Sequence, residues 1–306
     1  MSFQIKPATR QGINPLIAAY SESGCGKTYS ALLLARGLAG PKGKIVVADS
    51  ESGRASLYAD VLPGGFETFD LAAPFSPARY VEAVDAIEQS GAAVGIIDSG
   101  SHEWEGLGGV LDMAGEIEQR TGKPGLHCWK TPKFEHAKFI QRLLRAKIPI
   151  IICLRAKYKS RQVKEGGKTV ILKDETTSPI QAEDFIFEAT CHFEILQNHS
   201  IILTKCSHPS LRDCFPKDKT TPITVEHGEK LAAWCNAAGN PPAIKSPDLA
   251  ALKKQLWEMT KAKHGGRKDA LRQWLTDELL LAPYETLDDL GASQIQSIIN
   301  LAKGKL

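Results

Sequence analysis

Short apolar runs alternate with amphipathic stretches along the first two thirds of the chain. Four runs have the length and β-branched content of buried strands, at residues 15–20, 44–49, 93–98 and 148–154. Between them, apolar residues recur at helical spacing in segments that begin at Lys27, at Pro77 with Ser76 as N-cap, and at Thr131-Pro132. Strands separated by helices predict an α/β fold, with a mostly parallel sheet flanked by helices.

The pattern changes near residue 236. Residues 237–247 are rich in Ala, Gly, Asn and Pro and predict a linker. Residues 248–306 carry three apolar stripes at helical spacing, and Ser293 with Gln296 predicts a capping box for the third helix. The expected organisation is therefore a core at 1–236, a linker at 237–247 and a small helical C-terminal domain at 248–306.

Composition narrows the class of protein only slightly. The 306 residues are 42% hydrophobic and carry a formal charge of +3, which is too small to indicate a nucleic-acid partner by itself. Seven cysteines without regular spacing favour a reducing compartment. Since neither a signal-peptide block nor a membrane-length apolar run is found, we expect a cytoplasmic protein without membrane association.

Residues 21–28 read S-E-S-G-C-G-K-T and lie between the first strand and the first helix. Such a turn directs backbone N–H groups and the helix N-terminus at phosphate groups, which predicts an ATP site. Lys27, a solvated charge in the empty site, would reach the terminal phosphates, and Thr28 would ligate Mg²⁺. The first glycine of the motif is replaced by Ser21, where a positive φ would cost serine about 1–2 kcal/mol more. The predicted nucleotide-binding residues are Ser23, Gly24, Cys25, Gly26, Lys27, Thr28 and Tyr29.

Two acidic residues follow predicted strands, at the edge where α/β sheets bind ligands. Asp98 suits the Mg²⁺ shell of a P-loop enzyme, and Glu51 suits a general base that orients the attacking water. The alternative for both is that acids end strands because loops are solvated.

Residues 155–173 are strongly basic, with seven Lys and Arg residues against Glu165 as the single acid, and with a glycine pair at 166–167. A mobile basic loop with an aromatic residue suits single-stranded DNA, because its lysines and arginines neutralise phosphates and the aromatic ring stacks on a nucleobase. One alternative is a solvated β-hairpin with residues 170–172 as its return strand. Another is that Arg155, Lys157 or Arg161 reaches a neighbouring subunit's nucleotide. The predicted DNA-binding residues are Arg155, Lys157, Tyr158, Lys159, Arg161, Lys164 and Lys168.

A further stretch offers soft metal ligands between Cys191 and Cys214, including His192 and His199. It lacks the paired-cysteine spacing of zinc sites, and packed or surface residues are the alternative. In a strand, Cys191 and His192 would point to opposite faces.

The order of these motifs resembles the core of RecA-type recombinase ATPases. Residues 26–32, Trp129 and the Leu-Arg-Ala-Lys run at 154–157 resemble more closely the phage and prophage RecA-like ATPases of the AAA family, some of which are single-strand annealing proteins. The resemblance covers residues 1–235. It implies a RecA-like core, Glu51 as the catalytic glutamate, Asp98 as the Mg²⁺-associated aspartate and a DNA-binding loop after the strand at residues 148–154. Arg155 stands near the position where RecA proteins have a glutamine.

The sequence therefore predicts a DNA-stimulated ATPase that binds single-stranded DNA in phage recombination or annealing. By resemblance it acts as a homo-oligomer in the bacterial cytoplasm, with phage or host replication and recombination proteins as further partners. Two other functions are compatible with the sequence. One is a P-loop phosphotransferase with a basic lid, and the other is an ATP-dependent loader or remodeller that contacts proteins through its helical tail.

Overall fold

The structure, a computed structural model, describes residues 12–165, 168–218, 220–237, 248–278, 288 and 290–304. Side chains are described for all of these except residues 160–165, 168–175, 292 and 293. The chain divides into two compact units, Met1–Gly239 and Asn240–Leu306. All but the first residue of the predicted linker lies outside the described residues. Within the described ranges, no helix has both the length and the apolar character needed to cross a membrane.

A mostly parallel sheet forms the centre of the first unit. Its strand order is β3-β2-β4-β5-β1-β7-β8, with β6 paired to β5 alone. Every neighbouring pair from β3 to β7 is parallel, whereas β7–β8 and β5–β6 are antiparallel. The α/β fold expected from the sequence is thus confirmed. The strands are β1 (Leu16–Ser21), β2 (Ile45–Asp49), β3 (Glu67–Asp70), β4 (Val94–Asp98), β5 (Ile150–Glu165), β6 (Lys168–Pro179), β7 (Cys191–Ile195) and β8 (Ile201–Cys206).

Helices cover both faces of this sheet. Side chains of α1 and α7 share one buried cluster with Ile17 and Ala19 of β1, and those of α2 and α5 share another with Ala18. The alternation follows from the period of two along a strand. Ser76 precedes α2 as expected, but its side chain makes no capping hydrogen bond. The helices are α1 (Lys27–Ala39), α2 (Pro77–Gln89), α3 (Ser101–Glu105), α4 (Val110–Thr121), α5 (Lys130–Leu144), α6 (Phe185–Glu188) and α7 (Val225–Asn236).

The basic segment is a β-hairpin and not the loop that the sequence favoured. Strand β5 is 16 residues long, and β1 pairs with it only as far as Arg155. Beyond that point β5 pairs with β6, from Ala156 opposite Pro179 to Glu165 opposite Lys168. The backbone groups that leave the sheet are therefore satisfied within the hairpin, which is why an extended pair forms here. The glycine pair at 166–167 lies outside the described residues.

The second unit is a small helical bundle with α8 (Leu249–Met259), α9 (Lys261–His264), α10 (Lys268–Asp277) and α11 (Ala292–Lys303). Leu256, Leu271 and Ile299 belong to its buried core, in agreement with the apolar stripes of the sequence. The predicted cap of α11 is wrong, because the N-cap lies two residues earlier than Ser293. Gly291 is the N-cap, and its N–H donates to Oε1 of Gln294 over 2.9 Å, so Ser293 and Gln296 lie inside the helix.

Candidate functional site

The turn between β1 and α1 has the backbone geometry of a phosphate-binding loop. Gly24 and Gly26 have φ of 84° and 89°, in the left-handed region that glycine adopts without strain. Ser21 is not left-handed, since it still belongs to β1 and pairs with Arg155. The penalty expected for serine at the first motif position is therefore wrong.

Lys27 is held across the loop rather than solvated, contrary to expectation. Its Nζ donates to the carbonyl oxygens of Ser21 (3.1 Å) and Glu22 (2.9 Å) and lies 3.2 Å from Oγ of Ser21. A phosphate that replaces these oxygens would meet an ammonium group that already points into the loop.

Thr28 and Asp98 meet at the ends of α1 and β4. The Thr28 hydroxyl donates to Oδ2 of Asp98 over 2.6 Å, and Asp98 is 4% exposed. Burial raises the pKa of Asp98 to about 6, although the Thr28 hydrogen bond acts in the opposite direction. Hydroxyl and carboxylate oxygens are ligands that Mg²⁺ accepts, and a divalent cation would favour the ionised carboxylate. These two residues fit a magnesium ion.

Glu51 lies just beyond β2 and forms a two-pronged ion pair with Arg155. Nε and Nη2 of Arg155 each donate to a different carboxylate oxygen over 2.8 Å. Burial raises the pKa of Glu51, but the hydrogen bonds and charge of Arg155 outweigh burial, and the net shift is downward. Glu51 is therefore a carboxylate at neutral pH. Arg155, grouped with the DNA-binding residues from the sequence, lies with Glu51 at the carboxyl ends of the parallel strands, beside the phosphate loop. This region is called the nucleotide end of the sheet.

Ser50 and His102 join the strand ends behind these side chains. The Ser50 N–H donates to the Asp98 carbonyl over 2.7 Å, and Oγ of Ser50 accepts from the Ser99 N–H over 2.8 Å. Nδ1 of His102 lies 2.8 Å from the same Oγ. Burial, together with the positive charge of Arg155, lowers the pKa of His102. Sequence reasoning missed His102, whose one signal is its position four residues after Asp98.

The other predicted nucleotide residues surround the same turn. Ser23 and Gly24 are exposed, Cys25 is buried, and the Tyr29 ring is exposed on α1. His199, in the β7–β8 turn, places Nδ1 3.0 Å from the Cys25 carbonyl oxygen. This contact was not foreseen, because nothing local links the turn to the phosphate loop.

Two lysines of the hairpin, Lys157 and Lys159, have described side chains, and both form exposed ion pairs. Lys157 pairs with Glu105 over 3.2 Å, and Lys159 pairs with Glu183 over 2.5 Å. Exposed pairs contribute little to stability, so both lysines can exchange partners readily. Tyr158 lies between them on the strand. Arg161, Lys164 and Lys168 lie in β5 and β6, and their side chains are outside the described residues.

The β7–β8 hairpin separates His192 and His199 from Cys191, which lies opposite Cys206 on the neighbouring strand. Cys191 lies in the buried cluster on the α1 face, and His192 follows it in the strand. His192 stacks on Tyr20, which belongs to the cluster on the opposite face. His199 is at the phosphate loop.

Residues 13–185 match the family model described as "AAA domain". Because the match covers more than half of the chain and includes the whole nucleotide end of the sheet, the chain belongs to this family. It therefore contains an AAA-type P-loop ATPase domain. A search among curated proteins finds no match to this sequence.

Three solved structures are distantly similar. The ATP synthase subunit NeqB from Nanoarcheaum equitans is 13% identical, and the match covers 97% of this chain and 72% of that chain with a TM-score of 0.38. A prototypical ATPase from the type III secretion system of pathogenic bacteria is 13% identical, and the match covers 94% of this chain and 79% of that chain with a TM-score of 0.33. The assembled ATPase EscN from the type III secretion system of enteropathogenic E. coli is 13% identical, and the match covers 94% of this chain and 67% of that chain with a TM-score of 0.36. Similarity at this level carries no inference about substrate or assembly.

Proposed function

We propose that this protein hydrolyses ATP and binds single-stranded DNA along the β5–β6 hairpin, as an oligomeric ATPase of phage recombination or annealing. The observation that carries the proposal is the position of the hairpin. The hairpin begins at Ala156, directly after the last residue of β5 that pairs with β1, which is Arg155. The guanidinium group of Arg155 forms the ion pair with Glu51. A ligand bound at the first residues of the hairpin thus lies next to Arg155, whose side chain contacts the predicted catalytic base.

In the proposed reaction the loop N–H groups and Lys27 bind the phosphates of ATP, with Lys27 leaving the carbonyls of Ser21 and Glu22. Thr28 and Asp98 would hold Mg²⁺, which neutralises phosphate charge when bound. Glu51, ionised at neutral pH, accepts a proton from the attacking water at one carboxylate oxygen. This step requires that Arg155 release at least that oxygen, since it occupies both in the present arrangement.

Single-stranded DNA is proposed from the charge and shape of the hairpin. Lys157 and Lys159 line the same cavity at the start of the hairpin, where the β5–β6 register shifts between Tyr158 and Ser160. Their exposed partners Glu105 and Glu183 are weak competitors for a phosphate group. Four further basic residues, Arg161, Lys164, Lys168 and Lys173, lie along the same hairpin.

Replacing Lys157, Lys159 and Arg161 together with alanine tests this function. Anisotropy of a labelled oligo-dT at several salt concentrations should show weaker binding, and the log–log salt slope should flatten by about two units, since each single-strand phosphate contact contributes roughly 0.7. A matched control replaces Arg120, Lys123 and Lys130, which are exposed on α4, after it and at the start of α5. Unchanged affinity and slope in the hairpin variant would contradict the proposal.

The ATPase rate with and without oligo-dT, measured beside a sizing experiment, separates this function from the alternatives. We expect the rate to rise with DNA and the protein to assemble. A phosphotransferase would show neither response. If the triple alanine variant of Lys157, Lys159 and Arg161 assembles but loses basal activity, at least one of these three residues contacts the nucleotide of a neighbouring subunit.

A further inference from the structure

A cavity of about 530 Å³ lies at the root of the hairpin, next to the side of β1 that faces away from α1. It collects residues from five strands that are distant in sequence. The residues that matter here are Tyr20 of β1, Lys157 and Lys159 of β5, Thr177 of β6, His192 of β7 and Thr204 of β8. None of them belongs to the phosphate loop or the predicted magnesium site.

The hydrogen bonds of Thr204 determine which ring nitrogen of His192 carries the proton. Oγ1 of Thr204 lies 2.8 Å from the His192 carbonyl oxygen and 2.6 Å from Nδ1 of the same residue. A hydroxyl has one proton and a carbonyl oxygen can only accept, so Thr204 donates to the carbonyl and accepts from Nδ1. His192 is thereby assigned as the neutral tautomer with its proton on Nδ1. Nε2 is then an acceptor.

That acceptor has no partner. His192 is 1% exposed, and its Nε2 is buried without a hydrogen bond among the described residues. A buried acceptor left unpaired costs free energy, so such groups in native proteins call for a bound donor. The neighbouring donors are already used, since the hydroxyls of Tyr20 and Thr177 both point to the Glu194 carboxylate.

The lining of the cavity, which includes His192, defines the ligand. The Tyr20 ring stacks on His192 with centroids 4.8 Å apart, and Trp104 also lines the cavity, so the walls favour a flat ring. Lys157 and Lys159 add two ammonium groups in exchangeable ion pairs. A flat ring with an N–H donor, tethered to a phosphate, is a nucleotide unit of a nucleic-acid strand.

We propose that this cavity binds one unstacked nucleobase of the single strand, with a base N–H donating to Nε2 of His192 and the adjacent phosphates on Lys157 and Lys159. The inference rests on the proposed function, since it names a subsite for the same strand. Every natural base carries at least one N–H donor, so the subsite is tolerant of sequence.

Two strands with the same backbone test the subsite in the full-length protein. Oligo-dT keeps the thymine N3–H, whereas an oligomer of N3-methylthymidine lacks that donor and keeps the ring and phosphates. We expect oligo-dT to bind about tenfold more tightly, because the methylated base leaves the buried acceptor unpaired. The slope of affinity against salt should be the same for both strands.

Two variants of His192 separate an acceptor role from a structural one. In His192→Asn the side-chain amide can still donate to Thr204 in place of Nδ1, but nothing occupies the Nε2 position. In His192→Gln the longer side chain can place its amide oxygen near that position. We expect His192→Asn to bind the two strands equally and His192→Gln to keep a preference for oligo-dT. Thermal melts show whether each variant is folded.

The outcomes are distinct. Equal binding of both strands by the wild-type protein overturns the subsite while leaving backbone binding intact, and this comparison needs no variant. A preference that persists in folded His192→Asn also overturns it. If His192→Asn weakens ATP binding instead, the cavity serves the base of the nucleotide and the proposal is wrong. Failure to bind any strand contradicts the proposed function itself, and the subsite with it.

Discussion

At the nucleotide end of the sheet, Lys27, Thr28 and Glu51 all bind protein partners, whereas His192 at the hairpin root has an acceptor with none among the described residues. The first region is rich in charged groups that are already paired with protein atoms. A ligand must therefore replace these hydrogen bonds and ion pairs with stronger ones. Phosphate and a divalent cation can do so. In the second region the His192 ring is neutral and has one unfilled acceptor. This acceptor selects a neutral hydrogen-bond donor. The first region therefore suits phosphate and a divalent cation, and the second suits a neutral ring.

Two carboxylates show the same contrast on a smaller scale. Asp98 is buried beside a hydroxyl, and its pKa rises to about 6, whereas burial of Glu51 is outweighed by Arg155 and its pKa falls. Opposite shifts in neighbouring acids indicate different roles. Among the residues that the structure describes, no cationic side chain forms an ion pair with Asp98, whereas Arg155 keeps Glu51 ionised.

The largest expected effect is that of Lys27→Ala. Because the ammonium group would bind the transferring phosphate, phosphate release should fall by about 10³-fold. The variant also loses the bonds to Ser21 and Glu22, so its thermal melt is compared with that of Lys42→Ala, an exposed lysine elsewhere. A folded Lys27→Ala protein with full activity would refute the nucleotide site.

Glu51→Gln should have the next largest effect. It keeps the size of the side chain and removes the base, so turnover should fall by about 10²-fold while a fluorescent ATP analogue still binds. Glu105→Gln is the matched control, because Glu105 also pairs with a basic residue of β5, Lys157, but is not one of the side chains proposed to act on ATP. Normal hydrolysis by Glu51→Gln would mean that another residue positions the water.

The cavity at the hairpin root predicts a dependence of stability on pH. Burial, aided by the charge of Lys205, lowers the pKa of His192 to about 4, whereas the unfolded value is near 6.5. Between these values the unfolded chain binds the extra proton, so stability falls as the pH falls from 6.5 towards 4. From pH 7.5 to pH 5 the contribution of His192 is a loss of about 2 kcal/mol.

Urea unfolding at both pH values measures this loss. His192→Asn does not titrate in this range, so its free energy of unfolding should decrease by about 2 kcal/mol less than that of the wild-type protein. The same decrease in both proteins would show that His192 is not held neutral. It would also remove the basis for an acceptor at Nε2.

The sequence predicted the phosphate loop and its flanking elements because the signal is local. A strand, a glycine turn and a helix follow one another between Leu16 and Ala39. Thr28 and Asp98 are 70 residues apart, yet both could be assigned because each is marked by its own strand end or motif. Glu51 and Arg155 are 104 residues apart, and nothing near either residue indicates the other. Arg155 was grouped with the DNA-binding residues because its neighbours are basic, with a neighbouring subunit's nucleotide as the alternative. His192 was considered as a metal ligand or as an ordinary packed or surface residue. Both depend on strand order, which local patterns do not contain.

The smallest effect concerns Ser21→Gly, and here the sign decides. A strained serine would be relieved by glycine, and the protein would gain about 1–2 kcal/mol. In the structure Ser21 is an extended residue of β1 and its hydroxyl donates to the Glu22 carbonyl over 2.8 Å, so no strain is available to relieve. Glycine instead loses more conformational entropy on folding, and we expect a decrease in unfolding free energy of about 0.5–1 kcal/mol. Urea unfolding at neutral pH measures it, and a stabilised variant would show that the loop, and with it the resting position of Lys27, is strained after all.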